Sequence, residues 1–135
     1  MSQENVEIVR GIFDAWSRGD REGWLAPGHP EAELSSAIQR QVEGAGTIHK
    51  GPAALERFWD EMHATLRYTK VGISEIRDLG DTVLALCRVQ AQGMSSGAPI
   101  DTEVGWLFQF EDGLIRRAWA YSTPQEALEA AGLSE

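Results

Sequence analysis

The residues best suited to proton transfer or nucleophilic attack near neutral pH are three histidines, two tyrosines and one cysteine. His49 stands two residues ahead of Gly51-Pro52, at the expected mouth of a helix. An imidazole there could do acid–base work, since its ordinary pKa lies near ~6.5. The alternative is a surface or capping histidine. Tyr121, at the end of the last apolar run, could donate a hydrogen bond to a ligand oxygen, or could be a core tyrosine bonded to backbone. These two are the expected catalytic positions. His29 precedes Pro30 in a turn, and His63 is expected on the polar face of a helix. The histidines lack metal-ligand spacing and no carboxylate clusters with them in sequence, so neither a metal nor a cofactor is expected. Cys87 is the single cysteine, which excludes an internal disulfide and a cysteine-based zinc site. It belongs to the alternating set Val83, Ala85, Cys87, Val89 and Ala91, where a buried, inert thiol is expected. Ser17, Ser35 and Ser36 lack a glycine-flanked elbow, and Gly93 to Gly97 does not precede a helix. Serine hydrolysis and a phosphate loop are therefore not expected.

A second group of residues suits binding. Trp106, Phe108 and Phe110 alternate along one strand, as do Trp119 and Tyr121 along the next. Together with Phe13, Trp16, Phe58 and Met62 they are expected to wall a core and any cavity left in it. The alternative for each is plain packing. Five tryptophans in a short chain favour a cavity, because an indole packs less readily than an aliphatic and wants a partner for its N–H. Such a wall suits a flat or cyclic apolar molecule. Alternation turns Val104 inward and Glu103 outward unless a bulge at Gly105 reverses them. Asp101 would be in the same position. Arg117 shares parity with Trp119 and Tyr121, where it could bind a carboxylate or enolate, or extend along the sheet edge.

The elements that must position these groups are legible from periodicity. Gln3 to Arg18 has Val9, Ile12, Phe13 and Trp16 at helical spacing, with Asn5 and Ile8 on its flank, Ser2 as a cap and Gly19 just past the end. Asp20 caps a short helix with Trp24 and Leu25, stopped by Pro27-Gly28. Glu31 to Ile38 predicts a strand, 39–46 a flap or hairpin, and Thr47-Ile48-His49 a second strand. Gly51-Pro52 opens a long helix with Leu55, Phe58, Trp59, Met62 and Leu66 as its apolar stripe. Glu56, Arg57, Asp60, Glu61 and His63 fall on its other side. Four strand-like runs follow, Tyr68–Leu79, Thr82–Gln92, Pro99–Phe110 and Leu114–Ser122. The turns at Gly80-Asp81, Ser95-Ser96-Gly97 and Glu111-Asp112-Gly113 are short enough to make these an antiparallel meander. Thr123-Pro124-Gln125-Glu126 is a capping box that opens a last helix, ended by Gly132. This order predicts one α+β domain with its helices on one face of the sheet.

Twelve basic against twenty-one acidic residues give a net charge of −9, which opposes binding to nucleic acid or to an anionic membrane. No apolar stretch approaches the ~20 residues of a membrane helix. The polar, acidic start of the chain argues against a secretory signal, so a cytoplasmic protein is expected.

Five stretches, taken in order, resemble one family. They are Asn5 to Asp20, Lys50-Gly51-Pro52, Asp78-Leu79-Gly80-Asp81, Glu111-Asp112-Gly113-Leu114-Ile115, and Gln125 to Leu133. Together they are similar to SnoaL-like proteins of the nuclear transport factor 2-like superfamily, over nearly the whole chain except 39–47. The resemblance implies a cone-shaped, strongly curved antiparallel sheet wrapped around three to four helices, with a central pocket. It also implies a homodimer through the outer sheet face, where Leu107, Leu84 and Leu86 would need cover. The same cone serves isomerases, polyketide cyclases, dehydratases, hydrolases and non-catalytic binders. The familiar carboxyl positions of such enzymes fall here at Leu34, near Trp106 and at Thr123, and none of these side chains can act as a carboxyl base. The expectation is a protein that binds a small, largely apolar or aromatic molecule. The alternatives are an acid–base enzyme using the same pocket, and a dimerisation module with a filled interior.

Overall fold

A computed structural model describes residues 2–36 and 48–133 of the chain. The Ser2 side chain and segment 39–46, read above as a cap and as a flap, lie outside the described residues.

Helix α1 spans Ser2–Arg18. Its stripe is buried as the spacing predicts, with Val9, Ile12, Phe13 and Trp16 joined by Val6 and Ala15. Gly19 follows at φ 75°, a left-handed residue that suits glycine. Helix α2, Arg21–Leu25, is capped by Asp20, whose carboxylate accepts the Gly23 N–H at 3.0 Å. That bond and the neighbouring Arg18 hold the Asp20 carboxyl below its usual pKa. Strand β1 is Gly28–Ser35, beginning ahead of the expected Glu31, and β2 is the two-residue His49–Lys50. Helix α3 is Pro52–Thr65, opened by Gly51 at φ 90°. Leu66 does not extend its stripe but begins the next strand, and Trp59 is its fully buried member.

Strands β3 (Leu66–Asp78), β4 (Thr82–Gly93), β5 (Pro99–Glu111) and β6 (Leu114–Tyr121) form the predicted meander. The turn before β6 places Asp112 at φ 56° and Gly113 at φ 77°, the pair of left-handed residues a two-residue hairpin turn needs. The six strands run in the order β2-β1-β6-β5-β4-β3 in a curved, unclosed sheet. All neighbours are antiparallel except β1 and β6, which pair in parallel with Glu33 opposite Arg117. Helix α4, Pro124–Ala130, closes the described chain. Its Thr123 hydroxyl accepts the Glu126 N–H at 3.1 Å. Thr123→Ala is expected to cost about 1 kcal/mol, measurable by denaturant unfolding.

Register decides what each sheet face carries. Val83 pairs with Phe108, Ala85 with Trp106, Cys87 with Val104 and Val89 with Thr102. The first three pairs, with Val89, join α1, Trp59 and Leu34 in the main core. The opposite face is not bare. Leu84 and Leu86 pack under Ala127 and Leu128 of α4, with Leu107, Tyr121 and Leu133 alongside. The expectation of helices on one face is thus corrected: α4 lies on the other. Leu84 and Leu86, expected to need a partner chain, are covered by the chain's own last helix. Gly105 of β5 makes this possible, because a Cβ there would stand 2.3 Å from the Ala127 Cβ.

Cys87 is fully buried, and loss of hydration pushes its pKa up to about 12. The folded chain therefore keeps this proton at a pH where the unfolded chain releases it. The resulting contribution is fully present below pH 9 and is lost as the pH rises from 9 toward 12. A thiol reagent such as dithiobisnitrobenzoate is expected to leave native protein unmodified at pH 8 and to react at once in denaturant.

Candidate functional site

A cavity of about 570 Å³ lies between the helices and the inner sheet face. Helix α1 contributes Trp16, α3 contributes Phe58 and Met62, and β3 contributes Tyr68. From β5 come Ile100, Thr102, Val104 and Trp106, with Ala120 and Tyr121 from β6. These β5 residues are alternate ones, so the pleat turns them all the same way. A second, much smaller cavity of about 50 Å³ lies beside it, lined by Phe13, Leu34, Leu55 and Phe108 among others. Trp16 and Trp106 line both.

The walls are held by aromatic contacts. Trp16 meets Trp106 edge to face at 6.1 Å and Tyr68 at 5.4 Å. Phe13 meets Phe108 at 6.0 Å, and Trp106 stacks on Phe108 at 5.7 Å. Burial raises the pKa of Tyr68, so its phenol stays protonated. The indole Nε1–H groups of Trp16 and Trp106 are buried without a hydrogen-bond partner among the described residues.

The expected site residues fall into three groups. Phe58 and Met62 line the large cavity, Phe13 and Phe108 the small one, and Trp16 and Trp106 both. Tyr121 reaches the edge of the large cavity while packing against the outer Leu84 and Leu86 cluster. His49 is half-buried on β2, its ring 5.0 Å from that of Phe58, and is not among the described residues lining either cavity. Trp119 lies elsewhere. Its register partner is Leu107, whereas Ala118 and Ala120 stand opposite the inward Phe108 and Trp106. The inward reading of Trp119 is therefore corrected to the outer parity, which Tyr121 shares while still lining the edge of the large cavity. There the Arg117 guanidinium sits 5.3 Å from the Trp119 ring and its Nε lies 3.4 Å from Glu33. Asp101 and Glu103 also face outward, and Asp101 forms a two-bond pair with Arg88 at 2.8 and 2.7 Å.

Two clusters escaped the sequence reading. His63 is not on the polar face: its ring stacks on Trp59 at 3.9 Å and lies 5.1 Å from Tyr68. Its Nδ1 is 3.0 Å from the Trp59 carbonyl. A carbonyl only accepts, so Nδ1 carries the proton, and Nε2 is buried with no partner among the described residues. The spacing of Trp59 and His63, four apart on one helix, is the signal that could have shown it. The second cluster brings His29 together with Glu111 and Asp112, their polar atoms within 4.8 Å of one another. Both carboxylates are exposed, and Arg116 already stands 3.7 Å from Glu111, so an ion-pair network accounts for the grouping.

A curved, unclosed sheet with helices against its inner face and an aromatic-walled cavity between them defines the nuclear transport factor 2-like fold. Within it, the SnoaL-like domain model matches residues 9–118, and the chain belongs to that family. A protein of this fold and unknown function from Burkholderia pseudomallei superposes with TM-score 0.78 at 17% identity, covering 93% of this chain and 95% of its own. A candidate polyketide cyclase from Xanthomonas campestris pv. campestris superposes at 0.74 with 22% identity, covering 92% and 93%. TerC, co-crystallised with polyporic acid, superposes at 0.75 with 18% identity, covering 93% and 96%. No curated protein matches the sequence. At such identities the likeness establishes the fold alone.

Proposed function

We propose that this SnoaL-like protein binds a small, largely apolar or aromatic molecule in its large cavity. One observation carries the reading: the cavity is walled by Trp16, Phe58, Met62, Tyr68, Val104 and Trp106, with no Lys, Arg or His among its described lining residues. Burial of an apolar molecule against such a wall supplies the binding free energy. Co-crystallisation of TerC with polyporic acid is an instance of this fold paired with a small molecule. The acid–base alternative would use Tyr121 at the cavity edge, with His49 one ring away beside Phe58. It is the second reading because the single carboxylate among the described lining residues, Glu61, is exposed.

The test is equilibrium dialysis of an uncharged naphthalene dye against the protein and against Ala120→Trp, which fills the cavity from β6. The expected result is saturable binding of one dye per chain, abolished in the variant. Absence of saturable binding to the unaltered protein, or equal binding to the variant, would overturn the reading. Homodimerisation through the outer face is part of the proposal, supported by half-buried Leu107 and Trp119 beside α4. Sedimentation as a monomer at micromolar concentration would remove it. A cytoplasmic location is proposed as well. It suits a buried free thiol and a charge of −9. Among the described residues no helix is long and apolar enough to cross a membrane.

A further inference from the structure

Trp16 and Trp106 come from different elements, α1 and β5, yet they form one continuous wall shared by both cavities. The residues are exposed by only 6% and 7%, and each holds a buried N–H with no acceptor among the described residues. Buried donors in this condition are rare in folded proteins, and each one rewards the arrival of an acceptor. Tyr68 continues the wall past Trp16, adding a protonated phenol that lines the same cavity. Three side chains that carry donors thus adjoin on one aromatic surface.

Charge then narrows the class of molecule. Lys, Arg and His are absent from the described lining residues, and Glu61 is the carboxylate present. A buried anion would lose its hydration to neutral donors and meet that carboxylate. A cation that needs lone pairs would find N–H groups instead, and one that binds aromatic faces would leave those N–H groups without an acceptor. A neutral oxygen meets neither objection.

Resting on the binding function proposed above, we infer that the ligand is an uncharged molecule whose carbonyl oxygen accepts from the Trp16 and Trp106 indoles, with its apolar body along Phe58, Met62 and Val104. Neither indole nitrogen is exposed as the cavity stands, so binding requires each ring to turn its N–H toward the cavity. The result is recognition by hydrogen bonding inside an otherwise apolar chamber, which discriminates more sharply than apolar contact alone.

The experiment compares propionyl-dimethylaminonaphthalene with the analogue in which a methylene replaces the carbonyl, using equilibrium dialysis and the carbonyl infrared band. Hydrophobicity alone favours the methylene compound, so a preference for the ketone reports hydrogen bonding. The expected result is ketone binding about tenfold tighter than the analogue. Trp106→Phe and Trp16→Phe keep an aromatic ring in the wall, remove the N–H and lose part of the ring volume. Each should erase most of that preference, read as the ratio of ketone to analogue affinity within the same variant. The carbonyl band should shift to lower frequency in the unaltered complex, a readout that does not require the variants to fold. Equal binding of both compounds with an unshifted band overturns this inference and leaves the binding function standing. Binding of neither compound to the unaltered protein overturns both.

Discussion

Gly105→Ala is expected to destabilise the protein by about 3 kcal/mol, the cost of forcing a methyl into a filled contact. The added Cβ would meet the Ala127 Cβ at 2.3 Å and Leu86 Cδ2 at 3.3 Å, so either β5 or α4 has to move. Helix α4 is the weaker partner, being seven residues long and held by Ala127 and Leu128. Denaturant unfolding should show a lowered midpoint, and Ala127→Gly in the same chain should recover part of the loss. Recovery will be incomplete, because glycine inside a helix itself costs about 1 kcal/mol. Gly72→Ala on β3, with nothing within 4 Å of the new methyl, is the control and should leave stability nearly unchanged. If Gly105→Ala behaves like Gly72→Ala, α4 does not pack where the structure puts it.

Phe108→Ala is expected to cost about 3–5 kcal/mol, the range for deleting a buried aromatic ring. Phe108 is 3% exposed, stacked on Trp106 and edge to face with Phe13, so its loss removes support from the aromatic wall as well as burial. The deletion also enlarges the small cavity on the side of Ile12, Leu34 and Ile115, whose side chains are apolar. Benzene should then raise the melting temperature of the variant by more than that of the unaltered protein, whose large cavity is open to it as well. A loss below about 1 kcal/mol would mean that the neighbours collapse into the gap.

The elements themselves were largely legible in the sequence. Helix α1, the Pro-initiated α3 and the Thr123 cap each carry a local signal in spacing or capping chemistry that tertiary packing then reinforces. The hairpin turns were equally plain, since each demanded glycine at a left-handed position. What alternation could not give was the face. On β6, Trp119 and Tyr121 share a side, yet the inward side carries Ala118 and Ala120, where Trp106 and Phe108 already fill the space opposite. Strand parity states which residues agree with one another, while the choice between two apolar faces depends on α4, Arg117 and β1. The parallel pairing of β1 with β6 was illegible for the same reason, because it joins residues far apart in sequence. Of the cavity, the aromatic members were visible as residue types. Tyr68 and His63 were missed because their roles depend on the junction of α3 with β3, which periodicity had placed two residues later.

The Glu33–Arg117 pairing has a bearing on how the chain acquires its shape. During synthesis β1 is made first among the described strands and β6 last. The β3–β5 hairpins can close on contacts near in sequence, but β1 and β2 have no place in the sheet until β6 is made. Non-local closure of this kind is slow and leaves an early strand exposed to other chains. Insertion of β6 as the last of the described strands, with β1 docking beside it, follows from the strand order. The yield of native protein should accordingly depend more on how crowded nascent chains are than on the stability of the finished sheet.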